Sequence, residues 1–258
     1  MPAAWLFQPV SRPRARARLY CFSHAGGGAS AYRLWPAGLP ADLDVAAVQL
    51  PGREGRLREP PIASIPAIVE GLLPALRAHA DRPFAFFGHS MGAVVASELA
   101  RALDGSGGPR PLHLFLSGRR PPHVPDPETP LHVLPDPTFV EELVRRYGGI
   151  PAEILQHADL MELLLPTIRA DIRALETFRP GPRAPLPVPI SAFGGADDRR
   201  TPRPHLEAWG GVTSAAFRVR VFPGAHFYLE ACRDALLADL AACLAPALAA
   251  PSASEATA

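Results

Sequence analysis

The chain of 258 residues has no lysine and no asparagine, and all 26 of its basic side chains are arginine. A Walker-type phosphate loop, which needs a lysine beside its glycines, is therefore excluded. The abundance of Ala, Pro, Gly and Arg is a statement about codons in a GC-rich genome rather than about chemistry. Cysteine is scarce as well. Cys21, Cys232 and Cys243 are odd in number and lack metal-ligand spacing, which argues against a disulfide framework and for a reducing, cytoplasmic location. An excess of charge of either sign is missing too: 26 basic against 25 acidic residues leave a net charge of +1. No global field draws the chain to nucleic acid or to an anionic membrane. No run approaches the ~18 apolar residues of a membrane span. The N-terminus shows no charged segment followed by an apolar run of signal-peptide length; Arg12 to Arg18 alternate with small residues and pass directly into the strand "RLYCF".

What is present is an ordinary globular composition, 48% apolar and 20% charged, in a length that suits one domain with room for an insertion. Short apolar runs alternate with helical patterns. "ARLYCFSH", "LDVAAVQLPG", "PFAFFGHS", "LHLFLSG", "VPISAFGG" and "FRVRVFPG" read as strands. "IPAIVEGLLPALRAHA", "MGAVVASELARAL" and the closing "YLEACRDALLADLAACLAPAL" read as helices. Continuous apolar strands alternating with helices imply an α/β fold with a mostly parallel sheet covered by helices on both faces.

Between about Pro121 and Arg179 the rhythm breaks. "DPTFVEELVRRYGG", "PAEILQHA" and "LMELLLPTIRADIRALETF" read as consecutive helices, the first capped by Asp136 or Thr138. The expected organisation is a core of residues 1–120 and 181–248, a helical lid insertion over the carboxyl edge of the strands at 121–180, and a disordered tail at 249–258. A second small domain or an extended helical layer would read the same way over 121–180.

"FFGHSMGA" places Ser90 in a G-x-S-x-G pattern, after an apolar strand and before a helix. That context forms a sharp turn that exposes a hydroxyl at the sheet edge. A serine needs a base, and the base an orienting carboxylate, at the ends of later strands. Of the nine histidines, His226 alone follows a strand and a Pro-Gly turn directly before the last helix. His89, beside Ser90, is expected to point elsewhere. For the acid, "GADDRRTP" offers Asp197 and Asp198; counted three from Gly195 and four to Pro202, the register selects Asp198. Oxyanion donors are expected at the backbone N–H groups of Met91 and of Ala25 in the glycine-rich "HAGGGAS".

"CFSHAGGGASAYRLW", "VQLPGREGRL", "FFGHSMGA", "GGADD" followed by Trp209, and "GAHFYL" together resemble the type II thioesterases. These are stand-alone α/β-hydrolases that accompany polyketide synthases and nonribosomal peptide synthetases. The resemblance runs in order from about Leu19 to the C-terminal helix. It implies the α/β-hydrolase fold with a helical lid, catalytic Ser90, Asp198 and His226, and oxyanion donors Ala25 and Met91. It also implies an antibiotic-pathway serine thioesterase that hydrolyses acyl groups, aberrant or stalled ones included, from the phosphopantetheine arm of an acyl or peptidyl carrier protein. No cofactor or metal of its own is expected, and a monomer is. In this chain "DRRTP" replaces the proline and valine common after the acid, which keeps Asp197 open as the acid. Arg53 and Arg56 of "PGREGR" read as ion-pairing groups rather than catalytic ones. Two rival readings are a general carboxylesterase or lipase acting on small free esters and a non-catalytic carrier-binding homologue.

Overall fold

The structure is a computed structural model that describes residues 5–150 and 152–249. Its strands are β1 (Leu6–Phe7), β2 (Ala17–Phe22), β3 (Leu43–Val48), β4 (Phe84–His89), β5 (Leu114–Ser117), β6 (Ile190–Gly195) and β7 (Phe217–Phe222). They form one sheet in the order β1-β3-β2-β4-β5-β6-β7. All pairings are parallel except β1 with β3.

Every residue of β2 to β6 is buried, which is why these strands read as unbroken apolar runs rather than alternating ones. The pleat divides them. Tyr20, Phe22, Phe84 and Phe86 pack on one face with α1 (Ile65–His79) and α2 (Met91–Gly105). Leu19, Cys21, Ala85 and Phe87 pack on the other with α8 (Arg233–Ala249). In α1 the buried Ile65, Ile68, Val69, Leu72 and Leu76 recur at helical spacing and so face the sheet. The edge strand β7 alternates instead, with Arg218 and Arg220 on its open face pairing with Asp239 of α8. Charges there discourage another strand from adding to the edge.

The insertion between β5 and β6 carries α3 (Asp136–Tyr147), α4 (Ala152–Leu155) and α5 (Ala158–Thr177). Leu131, Phe139, Leu143, Ile168 and Ile172 give it a small core of its own. Asp136 does not cap α3: Pro135 is the N-cap, no side chain bonds the free N–H groups, and the Asp136 carboxylate turns to Arg169. Thr138 lies inside the helix. The closing helix also differs from its sequence pattern, because Cys232 leaves helical geometry and separates α7 (Tyr228–Ala231) from α8. Strand β1 and the short α6 (Arg203–Glu207) have too few residues to show a period. Residues 250–258 of the expected tail lie outside the described residues, and α8 runs to Ala249. Among the described residues no helix is long and apolar enough to cross a membrane.

Strand order opens a crevice at one edge of the sheet. From β2 the chain crosses to β3 on one side, and β4 then returns to β2's other side. Loops leaving the carboxyl ends of β2 and β4 therefore diverge and leave a gap between them. The turn after β4 is sterically closed: a Cβ on Gly88 would lie 2.1 Å from the Gly92 carbonyl oxygen, and one on Gly92 would lie 2.0 Å from that of Phe22. Gly92→Ala should therefore lower stability by about 2 kcal/mol or more, through backbone displacement. An unchanged urea midpoint in that variant would contradict this packing.

Candidate active site

Four strand ends meet at the crevice. Ser90 follows β4 as the N-cap of α2, at φ 54° and ψ −112°, a region L-residues avoid. A conformation of this kind costs on the order of 1–3 kcal/mol and persists only where the surroundings enforce it. Enforcement comes from the two glycines and from the Ser90 N–H, which donates to the Ser117 carbonyl of the neighbouring strand end at 2.8 Å. The Ser90 Oγ forms no hydrogen bond among the described residues, and Ser90 lines a cavity of about 170 Å³.

His226 lines the same cavity, in the loop between β7 and α7. Its Nδ1 donates to Asp198 Oδ2 at 2.7 Å, so Nε2 is the nitrogen left for other work. Asp198 is held by its own turn after β6: Oδ1 accepts the N–H groups of Arg200 at 2.9 Å and Thr201 at 3.2 Å. Burial pushes the Asp198 carboxyl up. The hydrogen bond and charge of His226 and the two backbone N–H groups outweigh burial, so the carboxyl sits below its ordinary value. Asp197, the other candidate acid, is exposed and has no side-chain contact with His226; its N–H donates to the Gly224 carbonyl.

Ala25 and Gly26 follow β2 on the far side of the cavity mouth. Neither the Ala25 N–H nor the Met91 N–H has a hydrogen-bond acceptor among the described residues, and Met91 is the first residue of α2. A helix N-terminus adds favourable potential for a negative oxygen placed there. The remaining wall is apolar and comes from the insertion: Leu143, Tyr147, Ile154, Met161, Leu164, Ile168, Ile172 and Leu175. A larger groove of about 650 Å³ lies beside α2 and the 119–130 segment, but none of Ser90, Asp198 or His226 lines it. Among the described residues no group of His, Cys, Asp and Glu could hold a metal ion.

A thioesterase-domain family profile matches residues 17–244. The chain belongs to the thioesterase family. This thioesterase is 41% identical over 240 residues to the linear gramicidin dehydrogenase LgrE of Brevibacillus parabrevis, covering 92% of this chain and 91% of that one. It is 37% identical over 236 residues to the thioesterase PikA5 of Streptomyces venezuelae, covering 89% and 83%. Among solved structures it is similar to RedJ, the thioesterase from the prodiginine biosynthetic pathway in Streptomyces coelicolor. That match has a TM-score of 0.83 at 40% identity and covers 91% and 88% of the two chains. The fold is that of the α/β-hydrolases, and the protein is a hydrolase.

Several residues around this site are not singled out by sequence patterns. His89 is fully buried, with its ring centroid 5.0 Å from that of His226 rather than turned away from the site. Its Nδ1 pairs with Ser117 Oγ at 2.9 Å, which pairs with Tyr228 Oη at 2.7 Å. Burial and the neighbouring His226 and His24 hold His89 well below the usual histidine range. Tyr147 of α3 packs edge-on against His226, with ring centroids 5.2 Å apart. A histidine at the variable position of G-x-S-x-G carries a signal only once the loop after β7 is known to bring His226 back to the end of β4.

His24 packs against Phe227 at 4.9 Å. Burial first, then repulsion from His226 and Arg53, lower its pKa from 6.5 to about 4. The unfolded chain therefore takes up a proton near pH 6.5 that the folded one refuses until about 4, so stability falls as pH drops through that window. His89 acts in the same direction. The contribution of Asp198 is lost only further down, as pH falls from the ordinary carboxylate value of 3.8 through the lower folded one. A His24→Gln variant should lose urea stability less steeply between pH 6.5 and 4 than the parent, and an identical slope would contradict the assignment.

Proposed function

We propose that Ser90 is the nucleophile, His226 the general base and Asp198 the group that orients it. The backbone N–H groups of Ala25 and Met91 act as the oxyanion donors, and residues 121–180 form a lid over the acyl chain. The carrying observation is the 2.7 Å bond from His226 Nδ1 to Asp198 Oδ2 beside the cavity that Ser90 shares. It orients the imidazole, fixes which nitrogen is free and stabilises the imidazolium that forms when Nε2 takes a proton.

In the reaction, the Ser90 hydroxyl proton passes to His226 Nε2 as Oγ bonds to the thioester carbonyl carbon. The carbonyl oxygen becomes an oxyanion between the two backbone N–H groups, which lie in place before charge develops. Collapse breaks the carbon–sulfur bond, and the departing sulfur takes the proton from the imidazolium. Water then gives a proton to His226 and attacks the acyl-Ser90 carbonyl; the acid leaves and Ser90 recovers its hydrogen. A thiolate leaves readily, so activating serine and holding the oxyanion are the main demands.

The substrate we propose is an acyl group on the phosphopantetheine arm of an acyl or peptidyl carrier protein in polyketide or nonribosomal peptide biosynthesis, aberrant or stalled acyl groups included. The family, the relatives' biosynthetic setting and an apolar wall suited to an acyl chain support this reading. The phosphopantetheine arrives as part of the substrate, and hydrolysis draws on the chain's own groups. We place the reaction in the cytoplasm, performed by a single copy of the chain.

Ser90→Ala should lower kcat on an acyl-carrier thioester by roughly 10³-fold or more with an unchanged melting temperature. Near-parental turnover would overturn the assignment, and faster hydrolysis of simple oxyesters than of carrier thioesters would favour a general esterase. Asp198→Asn should lose activity on a similar scale, roughly 10³-fold or more. Asp197→Asn should keep it within about 2-fold, as an exposed side chain outside the site. The reverse order would move the acid by one residue.

A further inference from the structure

The "PGREGR" turn after β3 puts Arg53 in a buried position, where its Nη1 and Nη2 grip the two carboxylate oxygens of Asp171 at 2.6 and 2.8 Å. Asp171 is fully buried and belongs to α5, in the insertion. The pair has further ligands, and they come from the loop after β2. The Gly26 N–H donates to Asp171 Oδ2 at 2.7 Å, and Arg53 Nη1 donates to the Gly27 carbonyl at 3.2 Å. The same turn braces the loop twice more. Gln49 accepts from the Ala29 N–H while donating to the Arg53 carbonyl, and Glu54 accepts from the N–H and hydroxyl of Ser30.

The Asp171 bond and a turn within the loop fix the two peptide planes that flank Ala25. The Gly27 N–H donates to the His24 carbonyl at 3.0 Å. That carbonyl shares its plane with the Ala25 N–H and points opposite to it. The next plane, between Ala25 and Gly26, is held by the Gly26 N–H on Asp171. Between them the Ala25 N–H has one direction left. Helix α5 also lines the cavity with Ile168, Ile172 and Leu175, so an acyl chain pressing on that wall presses on the element that carries Asp171.

We propose that Arg53 and Asp171 are a pair of positioning residues that aim the Ala25 N–H at the oxyanion. Through α5 they also make transition-state stabilisation depend on the acyl chain that fills the cavity. This rests on the roles proposed for Ser90 and Ala25. A buried ion pair is weak support for stability, since apolar replacement of both partners often costs little. Here the carboxylate has a third ligand in the loop, which apolar residues could not replace.

The test compares Asp171→Asn with the double variant Arg53→Met/Asp171→Leu, which removes both charges and so leaves no unpaired buried charge to unfold the chain. In each, kcat on an acyl-carrier thioester should fall by roughly 10- to 100-fold with KM within about 3-fold, the mark of a group acting in the transition state. The inhibition constant of an alkylboronic acid, whose tetrahedral adduct places an oxygen in the oxyanion site, should rise by the same factor as kcat/KM falls. The spread of kcat across acyl chain lengths should narrow. Recovery of kcat together with melting temperature in the double variant would make the pair merely structural and overturn the proposal. An undiminished boronate affinity would overturn it as well, and an unchanged chain-length spread would break the link through α5. Failure of the underlying reading shows separately, as an active Ser90→Ala variant.

Discussion

Residue 90 turns the chain from β4 into α2 at φ 54°, between two glycines whose backbone is in close contact with its neighbours. Carbonyl oxygens of Phe22 and Gly92 lie where side chains on Gly92 and Gly88 would be. That crowding holds the serine up at the carboxyl edge of the sheet with its Oγ unengaged, and it also brings α2 against β2. Because β2 and β4 are neighbours, the N-terminus of α2 and the loop after β2 then face each other across one narrow gap. The remaining site parts are delivered to the same edge by β6 and β7, whose loops carry Asp198 and His226. Parallel pairing makes this economical, since strands β2 to β7 all end at the same edge.

Electrostatically the site is one buried carboxylate, Asp198, beside the neutral rings of His24 and His89. Asp198 is kept ionised by its hydrogen bonds, while burial keeps His24 and His89 neutral beside His226. A second cation next to the base would disfavour the imidazolium that the proposed mechanism needs, so burying these histidines serves the chemistry as well as the packing. The insertion closes over this arrangement with apolar side chains, and its buried Asp171 joins Arg53 of the turn after β3 and the Gly26 N–H of the loop after β2.

Much of this architecture is legible in the residues alone. Strands β2 to β6 show as apolar runs because both faces of the sheet are covered there, β7 shows as an alternating one, and α3 to α5 are readable from their periodicity. The spacing of Gly195, Asp198 and Pro202 is consistent with the Asp198–His226 contact the structure contains. What cannot be read depends on pairing across long sequence separations. Arg53 and Asp171 lie 118 positions apart, and nothing local in "PGREGR" names its acid. Sequence reasoning turns His89 away from the site; its proximity to His226 follows from β7's position at the sheet edge and the loop that returns from it. Asp136 looks like a helix cap because its residue type favours one, but an arginine from α5 claims its carboxylate instead.

In the proposed mechanism hydrolysis passes through an ester on Ser90, formed in a site completed by His226 and Asp198. The most direct measurement is rapid-quench mass spectrometry of the protein mixed with an acyl-loaded carrier protein. A transient mass increase equal to the acyl group is expected, mapping to the peptide that contains Ser90 and absent when His226 is replaced by alanine. Turnover without any such species, or an acyl group mapping to a different residue, would contradict it.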